Sequence, residues 1–400
     1  MAAVLPAECQ RGDAGAASAA SSPFVSVALR VKPCSPAEQV AVWVKPGDSS
    51  DTGRRLCCNR GYILEEYEFS RVIDPDDDNG ALFADLEGPA LAASVFSGVN
   101  ETLFAYGQTG SGKTHTIFGS GQEPGLLNFF VRAIFDHATR SAPGSVVHAC
   151  CYEVRGDALA DLVDCGPLLA RGQLVEDDIV FDELYIKTQR CRYQIAKVDS
   201  AAVCLELLAG ARANRTAGMS SCNAASSRSH AVVHLFVQAP TGAGAGATDA
   251  EGADAASPSA CTVGALTLVD LAGAEREHEN PSAQGRRSAR VLNTSLSSLN
   301  RLLRKLQTGT LDESERRQSV LNKCLWEYLR PGCGIALIFC VSPLVRHRSM
   351  ALSTIAMATD SKTISSRRSS QIVHFPDGPP ALEPARPPRP RPGPISSPAS

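Results

Sequence analysis

A glycine-rich octet that ends in lysine and threonine carries the clearest chemical signal in the chain. It reads GQTGSGKT and matches the pattern GxxxxGK[ST], and the apolar run Thr102–Tyr106 in front of it predicts a buried strand. Glycines let the backbone wrap closely around phosphate oxygens, and a following helix adds the positive end of its dipole. A lysine at this position reaches the β- and γ-phosphates, and the hydroxyl after it coordinates Mg²⁺. The octet predicts a nucleotide phosphate site formed by Gly107, Gln108, Thr109, Gly110, Ser111, Gly112, Lys113 and Thr114.

The elements that must position this octet alternate between apolar strands and helices. Runs rich in Val, Ile and Leu are bounded by Gly, Pro or charge, as is typical of buried strands: Val25–Val31, Val146–Tyr152, Ala231–Val237, Leu266–Val269 and Ile335–Val341. Leucines at 292, 296, 299, 303 and 306 recur in steps of 4 and 3, which predicts a helix with one apolar face. We therefore expect an α/β fold with a mixed, mostly parallel central sheet and helices on both faces.

Composition excludes several classes of protein. Hydrophobic residues make up 44% of the chain, and the net charge is −3, so a polybasic nucleic-acid binder is not expected. The 14 cysteines include adjacent pairs but no CxxC, which favours reduced thiols over a disulfide scaffold or a zinc site. Met1–Ser22 has no apolar signal-peptide core, and no apolar run approaches the ~20 residues of a membrane span. We expect no membrane insertion.

Three segments are predicted to lack a packed core. They are an N-terminal arm at 1–22, an insertion at 239–260 and a Pro/Arg/Ser-rich tail at 367–400. The remainder, residues 23–366, is predicted to form one domain. No heptad pattern is sustained, so we expect a monomer, with a partner subunit possible.

Three further stretches follow the octet in an order that resembles the kinesin motor domain. They read NAASSRSH (Asn223–His230), DLAGAE (Asp270–Glu275) and LNTSLSSLNRLLRKL (Leu292–Leu306), and together with FAYGQTGSGKTHT they extend the resemblance from about Phe24 to Ile364. The resemblance implies a P-loop NTPase fold of the kinesin type, with ATP and Mg²⁺ as cofactors. It further implies microtubules as the partner and a location in the cytoplasm on the cytoskeleton.

The resemblance assigns roles around the γ-phosphate. Asp270 ends a predicted strand beside the octet, a position that holds Mg²⁺ together with Thr114 and Ser227. The Gly273 amide would donate to the γ-phosphate, and Ser226 would hold the attacking water.

Two residues of these stretches resemble a pair that works as a latch. Arg228 and Glu275 would close only when the γ-phosphate draws their segments together. Asn223 would donate a hydrogen bond on the nucleotide side.

The base of the nucleotide is expected between residues that flank the octet in space. Arg30 and Pro33 would lie on either side of the adenine, and His115 would lie near it. Lys32 stands where the family usually has arginine. Two dipeptides, Tyr152-Glu153 and Asn214-Arg215, also match the family, and we interpret them as scaffold hydrogen bonds.

Cations are expected to form a surface that binds acidic tubulin, although several positions there depart from the family. Val320, Ser288, Met357 and Asp360 replace residues of other types. The expected contact residues are Lys187, Arg190, Arg192, Lys197, Arg301, Arg304, Lys305, Arg316, Arg317 and Lys323.

The motifs predict a microtubule-stimulated ATPase and leave a second function open. That alternative is a binding module whose own ATPase is weak or uncoupled and which binds microtubules or a partner. The substituted positions of the surface favour this alternative. A small-molecule P-loop kinase or a GTPase is disfavoured because no substrate lid and no NKxD motif is found.

Overall fold

The computed structural model describes most of the predicted domain. The described residues are 25–35, 37–45, 54–59, 64–69, 71–186, 189–217, 229–240, 260–274, 283–361 and 372–374. The strands are β1 (Val25–Val31), β2 (Val42–Lys45), β3 (Arg54–Asn59), β4 (Leu64–Phe69), β5 (Val72–Ile73), β6 (Asn100–Tyr106), β7 (Val146–Arg155), β8 (Ala158–Asp161), β9 (Ile179–Ile186), β10 (Gln189–Val198), β11 (His230–Pro240), β12 (Ala260–Asp270), β13 (Gly334–Val341) and β14 (Ile372–His374). The α-helices are α1 (Asn79–Asp85), α2 (Gly88–Phe96), α3 (Lys113–Phe118), α4 (Leu126–Arg140), α5 (Gly166–Ala170), α6 (Ala201–Ala217), α7 (Ala283–Gln307), α8 (Glu313–Arg316), α9 (Val320–Leu325) and α10 (Arg348–Ser361).

The central sheet confirms the predicted α/β architecture and divides into two halves. Its order is β5-β1-β13-β6-β12-β11-β7-β10-β9, with β8 and β14 paired to β7 and β12. The strands from β5 to β12 along this path run parallel, whereas the pairs from β12 to β9 run antiparallel. All five apolar runs that were expected to be buried strands lie in strands of this sheet. Strands β2, β3 and β4 form a separate antiparallel sheet.

Helices cover the two faces of the central sheet and form two apolar cores. One core packs α1, α2, α4 and α6 around Phe130, which is fully buried. The other core includes the leucines of α7, together with Trp326 and residues of α9 and α10. The leucine stripe of α7 is buried as predicted, with at most 5% of any of its five side chains exposed.

The parallel half of the sheet brings the predicted nucleotide residues to one edge. In parallel strands the carboxyl ends lie together, and ligands of α/β proteins bind outside them. Here β6 is hydrogen-bonded between β13 and β12. The octet follows β6, and Asp270 is the last residue of β12, so the topology alone places them side by side.

The predicted insertion and tail have different limits in the structure. Ala239 and Pro240 belong to β11 and Ala260 begins β12, so only residues 241–259 of the insertion lie outside the described residues. In the tail, Ile372–His374 forms β14 and pairs with Ala260–Thr262. The prediction that the tail lacks structure does not hold for these three residues. The part of the chain that the structure describes contains no helix that is long and apolar enough to cross a membrane.

Replacing residues 241–259 by a short Gly/Ser turn should leave the melting temperature nearly unchanged. Pro240 and Cys261 are antiparallel partners, so a short turn can join the ends of β11 and β12. Shortening a flexible loop changes closure entropy by only about 0.6 kcal/mol per factor of two in length. Calorimetry would check this.

The matched control extends the deletion to 239–262, which also removes the pairing of β12 with β14. It should lower the melting temperature by several degrees. An equal loss in both variants would show that the segment 241–259 itself contributes to stability.

Candidate nucleotide-binding site

The octet forms a tight loop between β6 and α3. At Gly107, φ is +150° and an added Cβ would lie 2.2 Å from the Cys340 carbonyl oxygen, so the position requires glycine. The Lys113 side chain is buried, and its Nζ donates to the carbonyl oxygens of Gly107 at 2.9 Å and Gln108 at 2.8 Å. The lysine ammonium therefore lies against the loop, in the position from which the motif predicts contact with phosphate.

A buried carboxylate lies beside the loop. Asp270 is 1% exposed, and its Oδ2 accepts hydrogen bonds from the Thr114 hydroxyl at 2.8 Å and from Arg215 at 2.7 Å. Its Oδ1 is buried and has no hydrogen-bond partner among the described residues. A carboxylate and a hydroxyl are ligand types that Mg²⁺ accepts, directly or through water. The unsatisfied oxygen beside Thr114 therefore fits the predicted metal position.

The partner of this carboxylate is a residue that sequence analysis assigned only to the scaffold. Arg215 projects from α6, is 4% exposed, and donates to the Ser229 carbonyl oxygen at 3.0 Å. It also lies 3.8 Å from Glu153, which accepts from the Ser229 hydroxyl and pairs with Arg155 at 2.7 Å. The sequence did contain a usable signal, because a buried aspartate at a strand end needs a counter-ion.

A cavity of about 570 Å³ lies between the octet and the end of β1. Pro33, His115 and Arg30, which were predicted to lie near the base, are among the residues that line it. Arg30, however, is 6% exposed and donates to Thr116 at 2.9 Å and to Asn79, so its guanidinium also braces α1 against α3.

Sequence analysis did not predict the acidic residues of the cavity wall. Glu123 pairs with the His115 ring at 3.1 Å and accepts from the Asn79 backbone N–H at 2.9 Å. Lys32 Nζ donates to the Gly110 carbonyl oxygen at 2.9 Å, which places this lysine over the octet. Asp76–Asp78 also line the cavity. No sequence motif marks Glu123 or Asp76–Asp78, because they come from separate segments that only the fold brings together.

The segment after β12 lies against the octet. Leu271 N–H donates to the Ala105 carbonyl at 3.3 Å, and Ala274 N–H donates to the Gly107 carbonyl at 3.2 Å. Gly273 is buried between them. Several predicted residues lie outside the described residues: Asn223, Ser226, Ser227, Arg228 and Glu275.

The cations of α7 differ from the expectation of an open basic surface. Arg301 binds the buried Glu315 of α8 at 2.8 Å, and Lys305 binds both Asp312 at 2.6 Å and Glu315 at 3.0 Å. Arg304 pairs with Asp360 of α10 at 3.1 Å. Each of these three cations therefore has an acidic partner within the chain.

The other predicted contact cations are less uniform. Arg316 lies 3.8 Å from Glu313, and Lys197 lies 3.8 Å from Asp178. Within the described part of the chain, Arg317 and Lys323 form no ion pair. Arg192 is exposed, whereas Lys187 and the side chain of Arg190 lie outside the described residues.

Comparison with known sequences identifies a family match over most of the chain. A family model described as the kinesin motor domain matches residues 30–364. The chain is 31% identical over 377 residues to kinesin-like protein KIN-12B of Arabidopsis thaliana, covering 89% of this chain and 27% of that protein. It is 27% identical over 369 residues to kinesin-like protein NACK2 of Nicotiana tabacum, covering 87% of this chain and 35% of that protein. The chain thus spans between about a quarter and about a third of the length of these relatives.

Solved structures share the fold. A structure of a fast kinesin has a TM-score of 0.68 at 22% identity and covers 90% of this chain and 97% of its own. A KIF14 dimer in complex with a microtubule has a TM-score of 0.67 at 23% identity and covers 88% of this chain and 96% of its own.

Replacing Arg215 by alanine should destabilise the nucleotide-free protein by about 3–5 kcal/mol, because it leaves the buried Asp270 carboxylate without its counter-ion. Urea unfolding would measure the loss. The matched control is Arg171→Ala, since Arg171 pairs with Glu206 at the surface with half of its side chain exposed. That change should cost about 1 kcal/mol or less. Equal losses would contradict the role of Arg215.

Proposed function

The chain belongs to the kinesin motor-domain family, and on that premise we propose that it is a Mg²⁺-dependent ATPase whose turnover is stimulated by microtubules. Kinesin motor domains in general bind nucleotide with Mg²⁺ and associate with microtubules. The observation that carries the proposal is the contact between Thr114 and Asp270 beside the lysine of the octet, with one oxygen of Asp270 left for a further ligand.

Different residues of the site would bind the phosphates, the metal and the adenine. Lys113 would hold the β- and γ-phosphates, and Thr114, Ser227 and Asp270 would hold Mg²⁺. The metal, when bound, neutralises charge on the phosphate oxygens. The octet backbone would donate N–H groups to the phosphates, and Arg30, Pro33 and His115 would bind the adenine.

Hydrolysis would use the segment that precedes β11 in the sequence and the segment that follows β12. Ser226 would position the attacking water, and the Gly273 N–H would donate to the γ-phosphate as charge develops there. Arg228 and Glu275 would close these segments on ATP, and Asn223 would add a hydrogen bond on the nucleotide side. Hydrolysis would then require the closed conformation of these segments, and a bound partner could favour that conformation.

The partner would be the acidic surface of a microtubule, which implies a cytoplasmic, cytoskeletal location for this chain. The candidate contacts are the cations around α7, α8 and α9. We propose that the chain has no nucleic-acid partner and does not insert into membranes. We further propose that it is a monomer by itself, to which a partner subunit could bind.

A module that binds microtubules with weak or uncoupled ATPase is the second candidate. The observation that favours it is the internal pairing of Arg301, Arg304 and Lys305, which reduces the positive field of the surface.

Steady-state ATPase with and without polymerised microtubules tests the proposal. We expect stimulation in the wild type and loss of hydrolysis by at least about 100-fold in Lys113→Ala, since removing one charge-stabilising group costs on that order. The control is Lys45→Ala, which removes an exposed lysine paired with Glu66 on the small sheet. It should retain full turnover.

Two outcomes would count against the ATPase. Unchanged turnover in Lys113→Ala would contradict the assignment of the site. Microtubule binding by the wild type without any stimulation would favour the second candidate.

Microtubule co-sedimentation should depend on which cations are already paired. Arg317→Ala and Lys323→Ala should each weaken binding about two- to fivefold, whereas Arg304→Ala should have less effect because Asp360 already compensates that charge. Asp360→Asn should strengthen binding, since it releases Arg304. Binding should weaken with salt because the Debye length falls to about 8 Å at physiological ionic strength. Equal effects of all four changes would contradict this ranking.

A further inference from the structure

A fully buried histidine joins three elements at the edge of the nucleotide site. His230 is the first residue of β11 and has no exposed surface. Its Nδ1 accepts a hydrogen bond from the Ala272 backbone N–H at 3.1 Å, and its Nε2 lies 2.8 Å from the hydroxyl of Ser295 in α7. The imidazole therefore connects the segment after β12 to the middle of α7.

The backbone donor fixes the tautomer of the ring. Because Ala272 donates to Nδ1, that nitrogen carries a lone pair, and the proton of a neutral imidazole lies on Nε2. Burial lowers the pKa of His230 to about 3, and the cations Arg215 and Lys113 act in the same direction. Nε2 then donates to Ser295, whose own hydroxyl donates to the Leu292 carbonyl at 2.7 Å. The donor and the acceptor are therefore defined for each hydrogen bond in the series from the Ala272 N–H to the Leu292 carbonyl of α7.

The two ends of this hydrogen-bonded link lie beside Gly273 of the nucleotide site and on α7. Ala272 directly precedes Gly273, and the peptide groups of Leu271 and Ala274 are held by β6 and the octet. The other end of the link is one to three helical turns from Arg301, Arg304 and Lys305, on the helix whose surface carries the candidate microtubule contacts. A displacement of either end must therefore break a hydrogen bond of the imidazole or shift the ring together with that end.

We propose that His230 is a positioning residue that couples the conformation of the Ala272–Gly273 peptide to the position of α7. The coupling makes α7 respond to the nucleotide and makes hydrolysis respond to a partner on α7. This inference rests on the proposed function for its partner but not for its internal link.

Ser295→Ala breaks the link on the α7 side alone. The change removes a hydroxyl that is 3% exposed and suits a helix interior, so the fold should be retained. The matched control is Ser298→Ala, which lies one turn further along α7, is also buried, and bonds to Ser319 and Asn322 of the α9 segment instead.

Hydrogen exchange of α7 amides, measured with ADP and with a non-hydrolysable ATP analogue, gives the first readout. In the wild type and in Ser298→Ala, exchange in α7 should differ between the two nucleotides. In Ser295→Ala this difference should disappear while the dissociation constants of both nucleotides stay unchanged. Retention of the full difference in Ser295→Ala, or its absence from the wild type, would overturn the proposal.

Microtubule-stimulated turnover gives the second readout. Ser295→Ala should lower the stimulated kcat about fivefold, the factor expected for one net hydrogen bond. Absence of stimulation in the wild type would overturn the proposed function but not the link, which hydrogen exchange decides by itself. Absence of nucleotide binding would overturn both.

Two substitutions of His230 test the roles of its two ring nitrogens separately. His230→Asn places an amide oxygen near the Nδ1 position and can still accept from Ala272, but it does not reach Ser295. His230→Gln places an amide donor near the Nε2 position and loses the acceptor for Ala272. The asparagine variant should reproduce Ser295→Ala in both readouts, and wild-type behaviour in that variant would overturn the proposal.

Discussion

The burial of the Asp270 carboxylate is the constraint on which the site depends. Moving a carboxylate out of water costs several kcal/mol unless a well-placed cation and hydrogen bonds compensate it. Arg215 from α6 and Thr114 from α3 supply both, at 2.7 and 2.8 Å. Because these partners come from distant parts of the chain, the carboxylate can be buried only when β12, α3 and α6 are all in place. The charge therefore specifies the assembly of the site as well as its chemistry.

Local patterns in the sequence were sufficient for the elements that carry the site. The apolar run Val25–Val31 coincides with β1, and the leucine spacing of α7 matches its buried face. These predictions succeed because strand and helix periodicity depends on neighbours only a few residues apart. The octet was recognisable for the same reason, since its geometry is set by consecutive residues.

Long-range charge pairing could not be predicted in this way. Arg215 and Asp270 are 55 residues apart, and Arg304 and Asp360 are 56 residues apart. A sequence shows that a residue is charged, but its partner depends on the topology that brings two segments together. The same limit explains why the α7 cations were interpreted as an open surface, and why Glu123 of the cavity wall and its partner Asn79 were missed.

The ion pairs around α7 change what that surface can do without removing its charges. An exposed pair such as Arg304–Asp360 contributes about 1 kcal/mol or less, so an acidic partner can replace Asp360 at small cost. Glu315 is different because it is 3% exposed and holds both Arg301 and Lys305. Releasing those two cations would leave a buried carboxylate uncompensated, which is costly. Of the three paired cations of α7, Arg304 can therefore exchange its partner at small cost, whereas Arg301 and Lys305 are fixed to Glu315 of α8.

These two regions meet at one register position of the sheet. Ala231 of β11 pairs with Asp270 of β12, so His230 lies one residue beyond the buried carboxylate at the same edge. On one side of this edge a charge is compensated by Arg215, and on the other a neutral imidazole bridges Ala272 and Ser295. The charged contact is strong and resists change, whereas the neutral hydrogen bonds each contribute about 1 kcal/mol and can rearrange. A site built in this way holds the Asp270 carboxylate fixed, while the weaker hydrogen bonds of the adjoining Ala272 backbone can rearrange.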